Sequence, residues 1–307
     1  MAAEPLPVEP GAVDPHPREG YRGDVIAGRR HPVRRRLGRL ALYGLLIGLS
    51  ALFALPFLWQ ISAAFKTNAQ ILEPGLNLFP EPFQPGNFAK ALASAPFDRW
   101  FVTTALIAVL GTIGATLTSA YCAYGFAVLR ARGSRLWFGL ALLTILIPFE
   151  ALLIPQYIVW AKLGWVNTPL PLILPWWFGG GAFNIFLMRQ FLKGLPRDLV
   201  DAARVDGASE LRIFWRIMLP LTVPALTVVA VFHFIYLWND FLGPLVYLQD
   251  RTNTTLTVGL NGFLNRYNKQ WALLMAGSLM ALIPMVIVFI FAQRFIVRGI
   301  NLAGVRR

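Results

Sequence analysis

Apolar residues gather in long blocks along the chain, and short polar segments separate the blocks. Within a block the apolar residues are nearly continuous rather than alternating with polar ones, which is typical of membrane-spanning helices. Each block is longer than the ~20 residues that a helix needs to cross about 30 Å of hydrocarbon. The pattern therefore predicts an all-α integral membrane protein with six transmembrane helices. The predicted spans lie at about residues 37–61, 100–129, 136–160, 169–192, 217–242 and 271–295.

The polar segments predict how the chain is organised around these spans. Residues 1–33 contain six prolines, mixed charges and no apolar run, which predicts a disordered tail. We expect no signal peptide, because acids and prolines occupy the place of its apolar region. The remainder, 34–307, is predicted to be one transmembrane domain. It contains two long polar segments, 66–98 and 194–220, and the first is too rich in proline to span a membrane.

The distribution of basic residues predicts the orientation. With the N-terminus inside, 21 of the 28 Lys and Arg residues lie in inside segments and 7 lie outside. Lys and Arg favour the cytoplasmic side, so both termini and segment 194–220 are predicted to be cytoplasmic, and segment 66–98 external. The net charge of +13 could suggest nucleic acid binding, but the basic residues lie between apolar blocks, where they set topology.

Composition agrees with a membrane protein and excludes several kinds of chemistry. Of 307 residues, 56% are hydrophobic and 14% charged, against about 45–50% and about 25% in soluble domains. None of the five lysines follows a glycine, so the phosphate loop of an ATPase is missing. The three histidines are too scattered for a zinc-helix motif, and no serine lies in a hydrolase elbow. We therefore predict no catalytic, cofactor or metal site and no enzymatic activity.

Segment 194–220 has the pattern of a helix, a sharp turn and a second helix. Pro196 suits a first helical turn, and Asp198 complements the positive end of the helix dipole. Gly207 suits the left-handed position that ends a helix, and Ser209 can cap the next one.

One face of the first helix is expected to carry Leu199, Ala202, Ala203 and Asp206. Small residues on that face allow close docking into a groove on a partner. Two other interpretations stay open from these residues: a helix resting on the membrane surface, or a simple connector.

The spacing in this segment resembles the signature of permeases of binding-protein-dependent ABC importers. That signature is Glu-Ala-Ala, three residues, Gly, nine residues, then Ile-x-Leu-Pro. This chain has Asp201-Ala202-Ala203, three residues, Gly207, nine residues, then Ile217-Met218-Leu219-Pro220. The aspartate at 201 replaces the usual glutamate, which shortens the carboxylate arm by one methylene. The resemblance implies an ATPase-coupling loop. Its candidate residues are Asp201, Ala202, Ala203, Asp206, Gly207, Ile217, Leu219 and Pro220.

Further motifs resemble the carbohydrate-uptake, maltose-type branch of these permeases, and the resemblance covers about residues 37–307. They are Phe186-Leu-Met-Arg-Gln-Phe191 before the loop and Trp238-Asn239-Asp240 in the fifth predicted span. Six spans without an added N-terminal pair resemble the second permease subunit of such importers. The family implies the type I ABC importer permease fold.

The same resemblance implies a set of partners in the bacterial cytoplasmic (inner) membrane. They are a second permease subunit, making a heterodimer; a cytoplasmic ABC ATPase dimer; an extracytoplasmic solute-binding protein; and a sugar. ATP and Mg would be bound by the ATPase rather than by this chain. Transport would proceed by alternating access.

Polar residues inside the predicted spans are candidates for a translocation path. Glu150 falls about 14 residues into the third block, where an unpaired carboxylate costs at least ~2–3 kcal/mol. Asn184, Asn239 and Asp240 raise the same question, as does His233. Alternatively these residues bond helix to helix, and Asp240 lies at the outer water interface. The run 179–181 of three glycines predicts either a break in the fourth span or a surface for close packing.

Three functions are compatible with six spans. The loop signature favours an ABC importer permease for a sugar or oligosaccharide, with polyols or glycerol phosphate as an alternative substrate class. A stand-alone ion-coupled carrier or channel would use Glu150 and Asp240, but it needs no docking helix of this spacing. A membrane-embedded enzyme is disfavoured by the missing nucleophile and metal patterns.

Overall fold

The computed structural model describes residues 32–129, 131–264 and 269–304. This part of the chain is helical, and the β pairing within it is an isolated bridge between Leu264 and Lys269. The predicted all-α architecture is confirmed. The helices are α1 (Pro32–Ala64), α2 (Asn68–Leu72), α3 (Gly86–Ala93), α4 (Phe97–Ala127), α5 (Ser134–Leu143), α6 (Phe149–Lys162), α7 (Leu170–Ile173), α8 (Ala182–Lys193), α9 (Asp198–Val205), α10 (Glu210–Ile213), α11 (Leu219–Leu221), α12 (Val223–Trp238), α13 (Leu242–Tyr247), α14 (Leu256–Asn261) and α15 (Trp271–Gly304).

Four helical stretches are long and apolar enough to cross a membrane by themselves. They are Gly38–Ala64, Phe97–Ala127, Leu170–Lys193 and Trp271–Arg294. The third and fifth predicted spans are instead bent pairs of helices. Ser134–Leu146 meets Phe149–Lys162 at 97°, and Glu210–Leu221 meets Val223–Trp238 at 77°. The described residues therefore hold four such spans, or up to six if each bent pair crosses as one, and the count of six stays a prediction.

The bend in the third predicted span has a local cause. Helix α5 tightens into a 3₁₀ turn at Thr144–Leu146, and Ile147 and Pro148 are extended before α6 begins. Proline disfavours helical geometry in the residue before it and has no N–H to donate. An uninterrupted helix over 136–160 is therefore not formed.

Prolines also accompany the bend in the fifth predicted span. A π-helical segment, Phe214–Met218, leads into α11, which contains Pro220, and Pro224 follows in the first turn of α12. Between them Thr222 donates its N–H to the carbonyls of Met218 and Leu219, both at 3.1 Å. Since Pro220 cannot donate the usual helical hydrogen bond, the ladder is rearranged at this point.

The chain divides into two compact units, Met1–Ala54 and Leu55–Arg307. In the first unit the described residues form the beginning of α1, and every described side chain from Gly38 to Ala54 is exposed. A helix that is apolar on all sides is typical of a membrane span. The predicted tail lies outside the described residues, except that Pro32 and Val33 belong to α1.

The second unit is built around α4, which packs against α8 and α12. One apolar cluster lies near the C-terminal end of α4 and includes Tyr124, Met188, Ile213 and Met218. A second lies near the N-terminal end of α4 and includes Trp100, Leu237 and Leu256. The external segment predicted at 66–98 contains the short helices α2 and α3, neither long enough to span.

The glycine run interrupts the fourth span and also packs closely. Gly179, Gly180 and Gly181 all have positive φ, and α8 begins only at Ala182. A Cβ on Gly180 would lie 2.3 Å from the carbonyl oxygen of Ala115 on α4. The predicted break is therefore present, and the alternative of close packing holds at the same position.

Candidate functional site

The segment that carries the loop signature folds as a helix, a left-handed turn and a second helix. Helix α9 ends at Val205, and Gly207 has a φ of +77°. The N–H of Ala208 donates to the carbonyl of Ala203 at 2.9 Å, and that of Gly207 to Arg204 at 3.0 Å. This pair of bonds is the Schellman motif, which places a left-handed residue after the helix. Glycine takes that conformation without strain, so the prediction for Gly207 is confirmed.

The two helices of this segment begin in different ways. Ser209 accepts a hydrogen bond from the N–H of Arg212 at 3.4 Å, so it caps α10 as predicted. Pro196, in contrast, does not lie in a first helical turn. Helix α9 begins at Asp198, and Arg197 occupies the cap position. Asp198 is the residue at the positive end of the helix, where an acid is favourable.

The face predicted for docking is divided between solvent and core. Ala203 is buried, together with Val200, in the cluster at the C-terminal end of α4. Leu199 and Ala202 are exposed, and Val205 is 88% exposed. The expectation that Ala203 shares the outward face is wrong, because the helix uses this alanine to approach its own protein.

The other signature residues have different surroundings. Asp201, Asp206 and Gly207 are exposed. Ile217 and Leu219 are half-buried against the cluster at the C-terminal end of α4, and Pro220 is exposed at the bend. The last part of the signature therefore serves packing and bending, while the first part remains accessible except at Ala203.

A chain of polar contacts fastens α9 to its neighbours. Glu210 accepts from the Tyr124 hydroxyl at 2.6 Å and from Arg204 Nε at 2.8 Å. Arg204 Nη1 also donates to Asp201 Oδ1 at 3.2 Å. The hydrogen bond to Glu210 raises the pKa of Arg204, so this guanidinium stays charged. The contact between Tyr124 and Glu210 could not be predicted from local sequence patterns, because the two residues are 86 positions apart.

A cavity of about 120 Å³ lies under α9, next to the ends of α4 and α8. Its walls include Val128, Lys193, Val200, Arg204 and Met218. Apolar contacts therefore cover only part of the inner face of α9.

Glu150 does not lie in the middle of a continuous span. It is exposed in the first turn of α6, directly after the break at Pro148. An acid in the first turn of a helix is favoured by the helix dipole, which is a structural reason for its position. The Glu150 carboxylate, predicted to lie in the middle of a span, therefore lies at the start of a helix.

Asn184 belongs to a small aromatic and polar cluster around His233. Its Nδ2 donates to the carbonyl of Gly180 at 2.7 Å and lies 3.4 Å from His233 Nδ1. The ring centroids of His233 and Trp176 lie 4.3 Å apart in an edge-on arrangement, and those of Trp176 and Tyr236 lie 5.8 Å apart. His233 is buried, and its Nε2 finds no hydrogen-bond partner among the described residues.

The remaining path candidates lie directly after α12, before α13 begins. Asn239 is exposed and donates from Nδ2 to the carbonyl of Ile235 at 2.8 Å. Asp240 accepts from the N–H of Gly243 at 3.3 Å, next to the start of α13. We define the polar cluster as Trp176, Asn184, His233 and Tyr236.

Similarity to known proteins agrees with the loop signature. Residues 115–302 match the family described as binding-protein-dependent transport system inner membrane component. The chain belongs to this family. It is therefore a multi-pass membrane protein of a transport system, and the resemblance drawn from the loop signature is confirmed.

Its relatives include permeases with named substrates. The arabinooligosaccharides transport system permease protein AraQ of Halalkalibacterium halodurans is 36% identical over 82% of this chain and 90% of its own length. The AraQ protein of Bacillus subtilis is 32% identical over 90% of this chain and 99% of its own. The lactose transport system permease protein LacG of Rhizobium radiobacter is 32% identical over 87% of this chain and 96% of its own length.

A solved structure shares the fold. The crystal structure of a bacterial ABC transporter involved in the import of alginate contains a chain with a TM-score of 0.71 and 25% identity. The alignment covers 86% of this protein and 97% of that chain. The fold is therefore that of an ABC importer permease.

Proposed function

We propose that this chain is a permease subunit of an ABC importer that moves a sugar or oligosaccharide across the bacterial cytoplasmic membrane. The observation that carries the proposal is the near full-length similarity to permeases named for arabinooligosaccharides and lactose. The family match and the exposed loop around Gly207 support the same assignment. In this proposal transport proceeds by alternating access, driven by ATP hydrolysis on a separate ATPase.

The loop supplies the contact with that ATPase. The outward face of α9, with Leu199, Ala202 and Asp206, presents apolar and acidic groups to solvent. A short helix with exposed apolar side chains fits a groove on a partner. Gly207 sets the direction in which the chain leaves α9, so it fixes how this face is presented.

The polar cluster supplies part of the translocation path. Tyr236 is exposed on α12, Asn239 is exposed directly after it, and Glu150 is exposed in the first turn of α6. Hydroxyl, amide and carboxylate groups bond well to the hydroxyl groups of a sugar. We assign the cluster to the face that meets the second permease subunit or the solute.

The assignment is tested by purifying the chain with its associated proteins in mild detergent. We expect a second permease, an ATPase dimer and a solute-binding protein to co-purify. ATP hydrolysis should rise when the binding protein carries a sugar. Stimulation by a binding protein loaded with an amino acid or a metal, with sugars inert, would contradict the substrate class.

Orientation is tested separately with single cysteines in a Cys122→Ser background. Ser209 and Thr252 are both exposed, in the loop after α9 and in the segment after α13. Cysteine at 209 should react only with reagent added to the cytoplasmic side, and cysteine at 252 only from outside. Reaction of both from one side would contradict cytoplasmic termini and six spans.

A further inference from the structure

Glu210 connects three parts of the protein that the sequence places far apart. It lies in the first turn of α10, accepts Arg204 of α9 through one oxygen and accepts Tyr124 of α4 through the other. Both contacts involve a charged group and are short, so they belong to the stronger class of hydrogen bonds. The Glu210 carboxylate thus joins three elements. They are α9, α10 at the start of the fifth predicted span, and α4, which forms the second span.

Tyr124 depends on this carboxylate for its polar contact. Its side chain is 2% exposed, and its ring packs against Phe214 at 5.4 Å. A buried hydroxyl without a partner costs about 1–3 kcal/mol. Because Glu210 satisfies the hydroxyl, the end of α4 is held to the start of α10 in one orientation.

The apolar attachment of α9 is comparatively small. Val200 and Ala203 are its buried side chains, and the cavity of about 120 Å³ lies next to them. Apolar contact is not directional, whereas the bonds of Glu210 fix both distance and angle. The polar linkage is therefore the part of the attachment that can transmit a displacement of α9.

We propose that Tyr124 and Glu210 are positioning residues that make α9, the fifth predicted span and the second span move together when the ATPase moves. The inference rests on the proposed function, because it assumes that α9 contacts an ATPase. Without the linkage, α9 would still dock, but its displacement would be absorbed locally near the cavity. ATP would then be hydrolysed without moving the spans.

The test compares Tyr124→Phe and Glu210→Gln with the matched control Tyr121→Phe. Tyr121 lies one turn earlier on α4 and also packs its ring on Phe214, at 5.4 Å, but it is exposed. The complete complex is reconstituted in vesicles, and sugar uptake and ATP hydrolysis are measured together. We expect uptake per ATP to fall about tenfold in Tyr124→Phe, the order of one charge-assisted hydrogen bond. The control should stay within about twofold of the original protein, because its ring contact is kept.

The double variant and an assembly measurement complete the experiment. Because Tyr124 and Glu210 act through one contact, the double variant should lose little beyond the Glu210→Gln single variant. The amount of co-purified ATPase should match the original complex in every variant. The inference is overturned if Tyr124→Phe keeps the original ratio of uptake to ATP hydrolysis, or if it loses the ATPase from the complex. If the original chain itself binds no ATPase, the proposed function fails instead, so the two failures are distinguishable.

Discussion

The loop end of the protein and the polar cluster hold their polar groups in opposite ways. At the loop end, Glu210 is bonded through both oxygens, to Tyr124 and Arg204. In the cluster, His233 Nε2 is buried without a hydrogen-bond partner among the described residues, and Tyr236 is exposed. A region that transmits motion needs fixed contacts, whereas a region that meets a solute or partner must keep bonding groups free. The predictions below test this division.

Gly180→Ala should have the largest effect, and it breaks the cluster. The new Cβ would lie 2.3 Å from the Ala115 carbonyl, at a φ of +68°. Overpacking costs about 1–3 kcal/mol, and a left-handed alanine adds about 1 kcal/mol. We expect α4 and α8 to separate and the melting temperature and yield to fall. Gly179→Ala is the control, because it also has positive φ but its Cβ would meet open space. Equal losses in both variants would show that backbone strain, not contact with α4, is decisive.

Gly207→Val should follow, and it acts at the loop end. A Cβ here would meet no atom within 4 Å, so the cost is conformational, at about 1–2 kcal/mol for a left-handed β-branched residue. The protein should insert normally but lose uptake, and ATP hydrolysis should cease to respond to the binding protein. Gly207→Asn is the matched variant, since asparagine tolerates this conformation, and it should retain much of the uptake. Unchanged uptake by a well-expressed Gly207→Val protein would show that the loop is only a connector.

Tyr236→Ala should have an intermediate effect confined to uptake. Its hydroxyl and ring belong to the proposed path, so uptake should fall several-fold while the amount of bound ATPase stays unchanged. Phe232→Ala is the control, one turn earlier on the same exposed face of α12. If both variants lose uptake equally, the face serves subunit contact and not a solute.

Asp201→Asn should have the smallest effect on the fold. Its ion pair with Arg204 is exposed, and such pairs contribute about 0–1 kcal/mol. The melting temperature should therefore change little. If Asp201 also pairs with a basic group on the ATPase, Asp201→Lys should lower uptake, and a charge reversal on that partner should partly restore it. Failure of every reversal to restore uptake would leave Asp201 with its role inside the chain.

The sequence predicts those features whose cause is local. Gly207 could be identified because a left-handed turn after a helix strongly favours glycine wherever it occurs. The break at Gly179–Gly181 has the same origin. The contact between Tyr124 and Glu210 could not be predicted, since it depends on how α4 packs against α10. It requires no particular pattern in the residues next to either one. The position of Glu150 at the start of a helix is hidden in the sequence by the apolar run around it, and Pro148 is the residue that signals the break.

The break at Pro148 has a consequence for the stability of copies of the chain that have not assembled with partners. Ile147 and Pro148 are non-helical, apolar side chains around them are exposed, and Pro155 cannot donate to the carbonyl of Ala151 in the helix that follows. Irregular backbone is tolerated at membrane depth only where protein or water covers it. A copy made in excess of its partners would therefore leave this stretch uncovered in lipid. Membrane proteases would have a point of recognition there, and removal of uncovered copies would match the amount of this chain to that of its partners.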